Sequence, residues 1–180
     1  MAQDIITRVL NNDSDHARHI VAESTNILST NFGGGHIYSI VIDEDMDNGL
    51  IVARDVLVDG QYEDEVWKAK DYVAGDEPLL LLNPPVMPFT DLKGLATEDC
   101  FYNAAGDVVR AYTLRVGDRF TLSEAAFASA PAVAKYVTYN ATNKNYVVGD
   151  TKAESGFCAQ VIAKTLRTNM VMYKLQVVSL

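Results

Sequence analysis

The chain has 180 residues, of which 48% are hydrophobic and 22% are charged, and its net charge is −9. This composition is typical of one globular domain, and it excludes wholesale disorder and collagen-like repeats. Binding of nucleic acid through its phosphates needs a clustered basic surface. The sequence has 15 Lys and Arg against 24 Asp and Glu, with no basic run, so we predict no nucleic-acid partner.

Residues 1–35 are predicted to form an extended N-terminal arm. Ser14 is a candidate cap for a short helix over residues 16–23, and the glycines at 33–35 predict a hinge. The arm also carries a small apolar cluster, which consists of Ile5, Ile6, Val9 and Leu10. Such an arm gains little by folding on itself, so we predict that these four side chains bind a neighbouring subunit. The alternative is that the arm adds an edge strand to its own domain.

Residues 36–180 are predicted to form a single β-rich domain. Apolar residues recur with period two from residue 36 onward, and Asp47-Asn48-Gly49 predicts a hairpin turn between strands at 36–42 and 50–58. Eight or more short strands with frequent turns favour a mainly β fold, either a β-sandwich or a small β-barrel. The further strands are predicted at 65–73, 79–82, 112–116, 120–122, 135–139, 145–148, 157–164 and 171–178.

Alternation in the second half of the chain predicts which side chains form the core. One sheet face would bury Tyr112, Leu114, Val116, Phe120, Leu122, Val161, Tyr173 and Leu175. The nine tyrosines and Trp67 also fall mostly at strand-like positions. Packing in the core and across strands accounts for them better than a sugar-binding platform does.

Candidate chemistry is sparse along the chain. The spacing of Asp43, Asp45 and Asp47 resembles the start of a calcium loop. Such a loop needs Gly at its sixth position and Glu at its twelfth, where this chain has Asn48 and Arg54. We therefore predict a solvated acidic turn, and no catalytic residue, cofactor or metal. A metal-assisted hydrolase that uses the three aspartates stays open as an alternative.

The cysteines and the hydropathy bear on location. Cys100 and Cys158 lack metal-ligand spacing, and we predict free thiols in a protein made in a reducing cytoplasm. The longest aliphatic run, Leu79 to Leu82, is far shorter than the ~20 residues that cross a bilayer. No membrane association is therefore predicted.

Two stretches, residues 75–85 and 101–123, resemble small structural proteins of tailed bacteriophages, in particular capsid decoration (cement) proteins. The most specific part is aromatic-x-Asn-x-x-Gly at 101–106, followed by Arg-Ala-Tyr-x-Leu-x-x-Gly-Asp-x-Phe at 110–120. The resemblance implies a non-enzymatic virion protein, assembled in the host cytoplasm, on the exterior of the capsid. Its implied partners are the major capsid protein and copies of itself. A phage tail or adsorption module with a carbohydrate-binding face is the alternative.

Overall fold

A computed structural model describes residues 18–30, 36–59, 65–85, 98–167 and 170–180. Within these ranges the chain forms eleven strands in two sheets, so the prediction of a mainly β fold is confirmed. The described helices are three single-turn 3-10 helices, and none of them has the length and apolarity that crossing a membrane requires. The strands are β1 (Ala22–Asn26), β2 (Ile37–Val41), β3 (Ile51–Leu57), β4 (Val66–Asp71), β5 (Leu79–Leu81), β6 (Val108–Thr113), β7 (Arg119–Ser123), β8 (Tyr136–Asn140), β9 (Asn145–Gly149), β10 (Cys158–Arg167) and β11 (Met170–Ser179).

Five of these strands close into a small barrel. Their order around the barrel is β2-β4-β3-β5-β6, and β6 pairs with β2 to complete the ring. Every pair is antiparallel except β2 with β4, which is parallel. Closure removes the free edges that an open sheet of short strands would expose. Each barrel strand contributes buried side chains, among them Ile40, Ile51, Val66, Leu80 and Ala111.

The other six strands form an open antiparallel sheet in the order β1-β7-β11-β10-β8-β9. Its centre is the long hairpin of β10 and β11, whose strands have ten residues each. On the β10 side, the outer half of this hairpin extends past its neighbour, because β8 pairs only with the first three residues of β10, whereas β7 pairs with residues 172–176 of β11. A surface groove described below lies beside Met170 and Val171, which precede the β11 residues that pair with β7.

One core joins the barrel to the six-stranded sheet. The hydroxyl of Tyr146 donates a 2.6 Å hydrogen bond to the carbonyl of Gly49, and the N–H of Phe157 donates a 2.9 Å bond to the hydroxyl of Tyr72. Since apolar contacts and hydrogen bonds both cross the boundary, we expect the two sheets to unfold as one cooperative unit. The side chains of this shared core include Ile40 and Leu80 from the barrel and Phe120 and Tyr173 from the six-stranded sheet.

Residues 18–30 do not form the predicted arm. Residues 22–26 are the edge strand β1, which pairs with β7 in antiparallel register. Val21 exchanges two hydrogen bonds with Ser123, and Ile20 and Ile27 are buried beside it. The short helix predicted here is therefore wrong for the described residues, because contacts with β7 override the local helix signal. The edge-strand alternative is confirmed for this stretch.

The Asp47-Asn48-Gly49 sequence forms a turn, but the predicted hairpin is wrong. β2 and β3 are not neighbours, because β4 lies between them. Asn48 instead exchanges two hydrogen bonds, of 2.8 and 2.9 Å, with the backbone of Asn83 after β5. Gly49 has φ +86°, and a Cβ there would lie 2.5 Å from a methyl carbon of Leu122. The turn therefore requires glycine for both its conformation and its packing.

The predicted core face is confirmed except at two positions. Tyr112 is half-buried, and the Val116 side chain is 61% exposed. In β6 the buried residues are Val109, Ala111 and Thr113, one residue out of step with the prediction. Val116 lies in a turn closed by a hydrogen bond from the N–H of Asp118 to the carbonyl of Arg115. The buried members are Leu114, Phe120, Leu122, Val161, Tyr173 and Leu175.

Candidate functional site

The acidic turn before β3 holds its aspartates apart. Oδ1 of Asp47 is 2.5 Å from Nδ1 of His19. Oδ2 of Asp47 accepts a 2.9 Å hydrogen bond from the backbone N–H of Ile20. Asp45 accepts the N–H of Ala105 at 2.9 Å, and Asp43 is exposed. Among the described residues, no group of three or more His, Cys, Asp and Glu could hold a metal ion. Asp45 and Asp47 connect segments of the fold, and the three carboxylates do not meet at one point.

A buried network of three asparagines adjoins this turn. Asn103 is fully buried, and its Nδ2 donates to the carbonyl of Met46 (3.1 Å) and to Oδ1 of Asn48 (3.2 Å). Its Oδ1 accepts a 3.1 Å hydrogen bond from Nδ2 of Asn83. Asn103 and Met46 also exchange two backbone hydrogen bonds of 2.8 Å. The asparagine of the 101–106 motif therefore fastens three chain segments together.

A cation and two aromatic rings come together on the barrel surface. The guanidinium carbon of Arg54 on β3 is 4.1 Å from the ring centroid of Tyr38 on β2 and 5.0 Å from that of Trp67 on β4. Arg54 donates to Glu77 (2.9 Å), and the indole N–H of Trp67 donates to Glu65 (2.5 Å). Cation–π contacts at exposed sites contribute about 0.5–1 kcal/mol each. We call Tyr38, Arg54 and Trp67 the aromatic–arginine cluster.

Three exposed apolar residues lie near the aromatic–arginine cluster in sequence or in strand register. Ile37 precedes Tyr38 on β2, where successive side chains face opposite sides, and it is 48% exposed. Leu57, which lies opposite Trp67 in the β3–β4 register, is 51% exposed, and Val56 beside it is 56% exposed. Single exposed hydrophobic residues are common on protein surfaces, but apolar residues grouped around aromatic rings are typical of binding surfaces.

The charges around this cluster are largely paired. Burial raises the pKa of the Tyr38 hydroxyl, Glu77 raises it further, and Arg54 opposes them. A hydrogen bond from Lys70 lowers the pKa of the Asp76 carboxyl. At neutral pH the site therefore presents a neutral Tyr38 phenol and an ionised Asp76 carboxylate beside the Arg54 guanidinium. A shallow depression of about 230 Å³ opens here, lined by Ala53, Arg54, Asp55, Trp67, Asp76 and Glu77.

A larger groove, of about 510 Å³, lies against the six-stranded sheet, and we call it the sheet groove. Several of its polar groups already have partners: His19 with Asp47, Arg18 with Asp99 at 3.7 Å, and Glu124 with the Tyr173 hydroxyl. The groove therefore offers a ligand polar and apolar surface in similar measure. Its apolar lining consists of Ala125, Ala128, Ala130, Met170, Val171 and the buried Phe127.

The other residues singled out from the sequence divide into two groups. The predicted partner-binding residues, Ile5, Ile6, Val9 and Leu10, lie outside the described residues, so their role stays a prediction. Cys158 is a free thiol, as predicted, and it is buried.

Sequence reasoning missed the aromatic–arginine cluster. Tyr38 and Trp67 were interpreted as packing residues, and they lie 29 positions apart in the chain. The one available signal is Arg54, a cation in a strand in which every other residue except Asp55 is apolar. A single sequence does not show that this cation meets two rings from other strands.

Comparisons with known proteins leave the family open. No family model matches the chain, and neither a curated protein nor a solved structure was found to be similar to it. The resemblance to capsid decoration proteins therefore stays a prediction from the motifs at 75–85 and 101–123.

Proposed function

We propose that this chain is a non-enzymatic structural protein of a tailed bacteriophage, which binds the outer surface of the capsid and stabilises the shell. The observation that carries the proposal is the aromatic–arginine cluster with its exposed apolar neighbours. The motif resemblance supplies the identity of the proposed partners, the major capsid protein and further copies of this chain.

The composition of this surface favours binding to a protein. Trp, Tyr and Arg are the residues most enriched at the energetic centres of protein interfaces. Arg54 is already held between Tyr38 and Glu77, so it would lose little side-chain freedom on binding. A protein that binds only the assembled lattice stabilises that lattice by mass action. This mechanism needs a docking surface and no catalytic group.

Particle binding by variants of the full chain tests the proposal. Trp67→Ala should lower occupancy on purified capsids by at least tenfold, because a central interface residue typically contributes 2 kcal/mol or more. Trp67→Phe should retain most binding. Val147→Ala is the matched control, because Val147 is 40% exposed on β9 of the other sheet. Occupancy is measured by co-sedimentation, and electron microscopy locates the bound protein.

One result would reject the capsid role, namely that the chain occupies no site on the capsid exterior of the particles that contain it. Equal binding by Trp67→Ala and Val147→Ala would instead reject the aromatic–arginine cluster as the docking surface.

A carbohydrate-binding tail or adsorption module is the second candidate, and the depression beside Trp67 favours it. Sugar sites combine an aromatic face with carboxylates and guanidinium groups, and this depression contains Trp67, Arg54 and three acidic residues. Trp67 is the only tryptophan in the chain, so its fluorescence reports on this site directly. Saturable quenching or enhancement by host-surface polysaccharide would support this candidate, and an unchanged spectrum would count against it.

A further inference from the structure

The outer face of the β2–β6 strand pair carries an arginine between two apolar rows. Opposite residues of an antiparallel pair point to the same side of the sheet. Alternate side chains of β6 are buried in the core, and the residues between them point outward. In order along the strands, the outward rows are Ile37 with Tyr112, Ser39 with Arg110, and Val41 with Val108. We call these six residues the β2–β6 face.

This face combines exposed apolar surface with positive charge, in a chain whose net charge is −9. Ile37 and Val108 are both exposed. The exposed guanidinium of Arg110 makes no hydrogen bond or ion pair with any residue that the structure describes. A guanidinium stays charged at every physiological pH. Lys68 on β4 lies opposite Val41 in the strand register and is also exposed, so it adds a second positive charge at the edge of the face.

A depression of about 390 Å³ opens beside Arg110. Its lining includes Ser39, which lies directly opposite Arg110 and supplies a hydroxyl, and Asn83. Asn83 is fixed by two hydrogen bonds with Asn48 and by a 3.1 Å hydrogen bond to Asn103. This wall of the depression is therefore held in place before a ligand arrives, which lowers the entropic cost of binding.

The order apolar, cationic, apolar specifies the chemistry of an occupant. A carboxylate is the group that pairs with a guanidinium through two parallel hydrogen bonds. Successive rows of the face are two residues apart, which is roughly 6.7 Å in a strand. The same distance separates side chains i, i+2 and i+4 of an extended segment that packs face to face on a sheet. An acidic residue with apolar residues two positions before and after it therefore matches all three rows.

We propose that the β2–β6 face binds an extended segment of a partner protein, in which Asp or Glu lies between apolar residues at positions i−2 and i+2. From the first row to the last, the face extends over roughly 13 Å, which suits five extended residues and exceeds a small anion. Tyr and Arg, present here as Tyr112 and Arg110, are residue types enriched at the energetic centres of protein interfaces.

The proposal is independent of the aromatic–arginine cluster. Tyr38 and Ile37 are neighbours on β2, and neighbouring side chains of a strand point to opposite sides. The capsid role and binding at the β2–β6 face can therefore fail separately.

Two synthetic peptides test the proposal on the full chain. One is acetyl-Ser-Val-Ser-Glu-Ser-Val-Ser-amide, and in the other Gln replaces Glu. Binding is followed by nuclear magnetic resonance, through the backbone amide shifts of the protein. The Glu peptide should shift amides within residues 37–41 and 108–112. It should bind at least about fivefold more tightly than the Gln peptide, because charge-assisted hydrogen bonds are stronger than neutral ones. Added salt should narrow that difference.

Variants of the protein locate the site. Arg110→Gln should abolish the preference for the Glu peptide. Arg115→Gln is the matched control and should retain the preference, because Arg115 is exposed in the turn after β6. Ile37→Ser should weaken both peptides equally, since it removes apolar surface and leaves the cation. All three positions are exposed, so an unchanged Tm should accompany each substitution.

Several results would overturn the proposal. These are no binding of either peptide, equal affinities for the two peptides, amide shifts that map elsewhere, or a preference for Glu that survives Arg110→Gln. Equal shifts caused by sodium acetate at the peptide concentration would indicate a site for free anions only. A dimer of the wild type that Arg110→Gln dissociates, measured by analytical ultracentrifugation, would assign the face to a second copy of the chain.

Discussion

Replacing Asn103 with Asp tests the buried asparagine network with almost no change of shape. The substitution turns Nδ2 into an oxygen, which then faces the carbonyl of Met46 and Oδ1 of Asn48 at the present distances of 3.1 and 3.2 Å. Two donated hydrogen bonds are lost, at about 1 kcal/mol each. A buried carboxylate without a cation adds a further penalty of at least 1–3 kcal/mol. We therefore expect Asn103→Asp to lower the free energy of unfolding by about 3–5 kcal/mol.

Urea unfolding, followed by Trp67 fluorescence and by circular dichroism, measures this loss at pH 7 and pH 4. Burial raises the pKa of the new carboxyl in the folded state above its unfolded value of about 3.9. The charge penalty is therefore fully present above the folded-state pKa and shrinks as the pH falls through it. The deficit relative to the wild type should be smaller at pH 4 than at pH 7.

Asn140→Asp is the matched control for this substitution. Oδ1 of Asn140 accepts the N–H of Asn143 in an exposed turn, and a carboxylate accepts that bond equally well. Its stability should stay within about 0.5 kcal/mol of the wild type. The reasoning is refuted if Asn103→Asp loses less than about 1 kcal/mol, or if Asn140→Asp loses as much as Asn103→Asp.

Three further predictions concern the core, the acidic turn and the N-terminus. Leu114→Asp should abolish soluble expression, because Leu114 is fully buried and burial of a large apolar side chain contributes roughly 1.5–3 kcal/mol. The control, Val116→Asp, changes an exposed position and should fold. A soluble, cooperatively melting Leu114→Asp protein would contradict this prediction. Calcium or a chelator should leave the Tm unchanged, since the aspartates of the 43–47 turn do not converge; a calcium-dependent rise would revive a metal site, as a ligand at 100 times its Kd adds about 2.7 kcal/mol. Deletion of residues 1–30 should cause aggregation, because it removes β1 and exposes the edge of β7, whereas deletion of residues 1–17 should leave a soluble protein. Size-exclusion chromatography distinguishes these two results. A soluble, stable protein without residues 1–30 would count against the edge-strand role of β1.

Strand positions were largely predictable because alternation is a local property. The predicted segments at 36–42, 50–58, 65–73 and 79–82 contain β2 to β5. The prediction failed where local and tertiary signals disagree. Residues 22–26 have little alternation of their own and become a strand because β7 offers a partner. The Asn48-Gly49 signal specified a turn but not which strands the turn would join.

The sequence by itself determined the strand-rich class, most of the core face and the absence of a calcium-loop pattern, because each depends on residue type and short-range spacing. Only the tertiary structure decided the strand order, with β4 between β2 and β3, since pairing depends on contacts between distant segments. That order brings Tyr38, Arg54 and Trp67 together on one surface. The tertiary structure also decided that residues 124–130 and the β10–β11 hairpin line a groove next to Arg18. Neither surface follows from spacing along the chain, because both are built from side chains that become neighbours only after the sheets have formed.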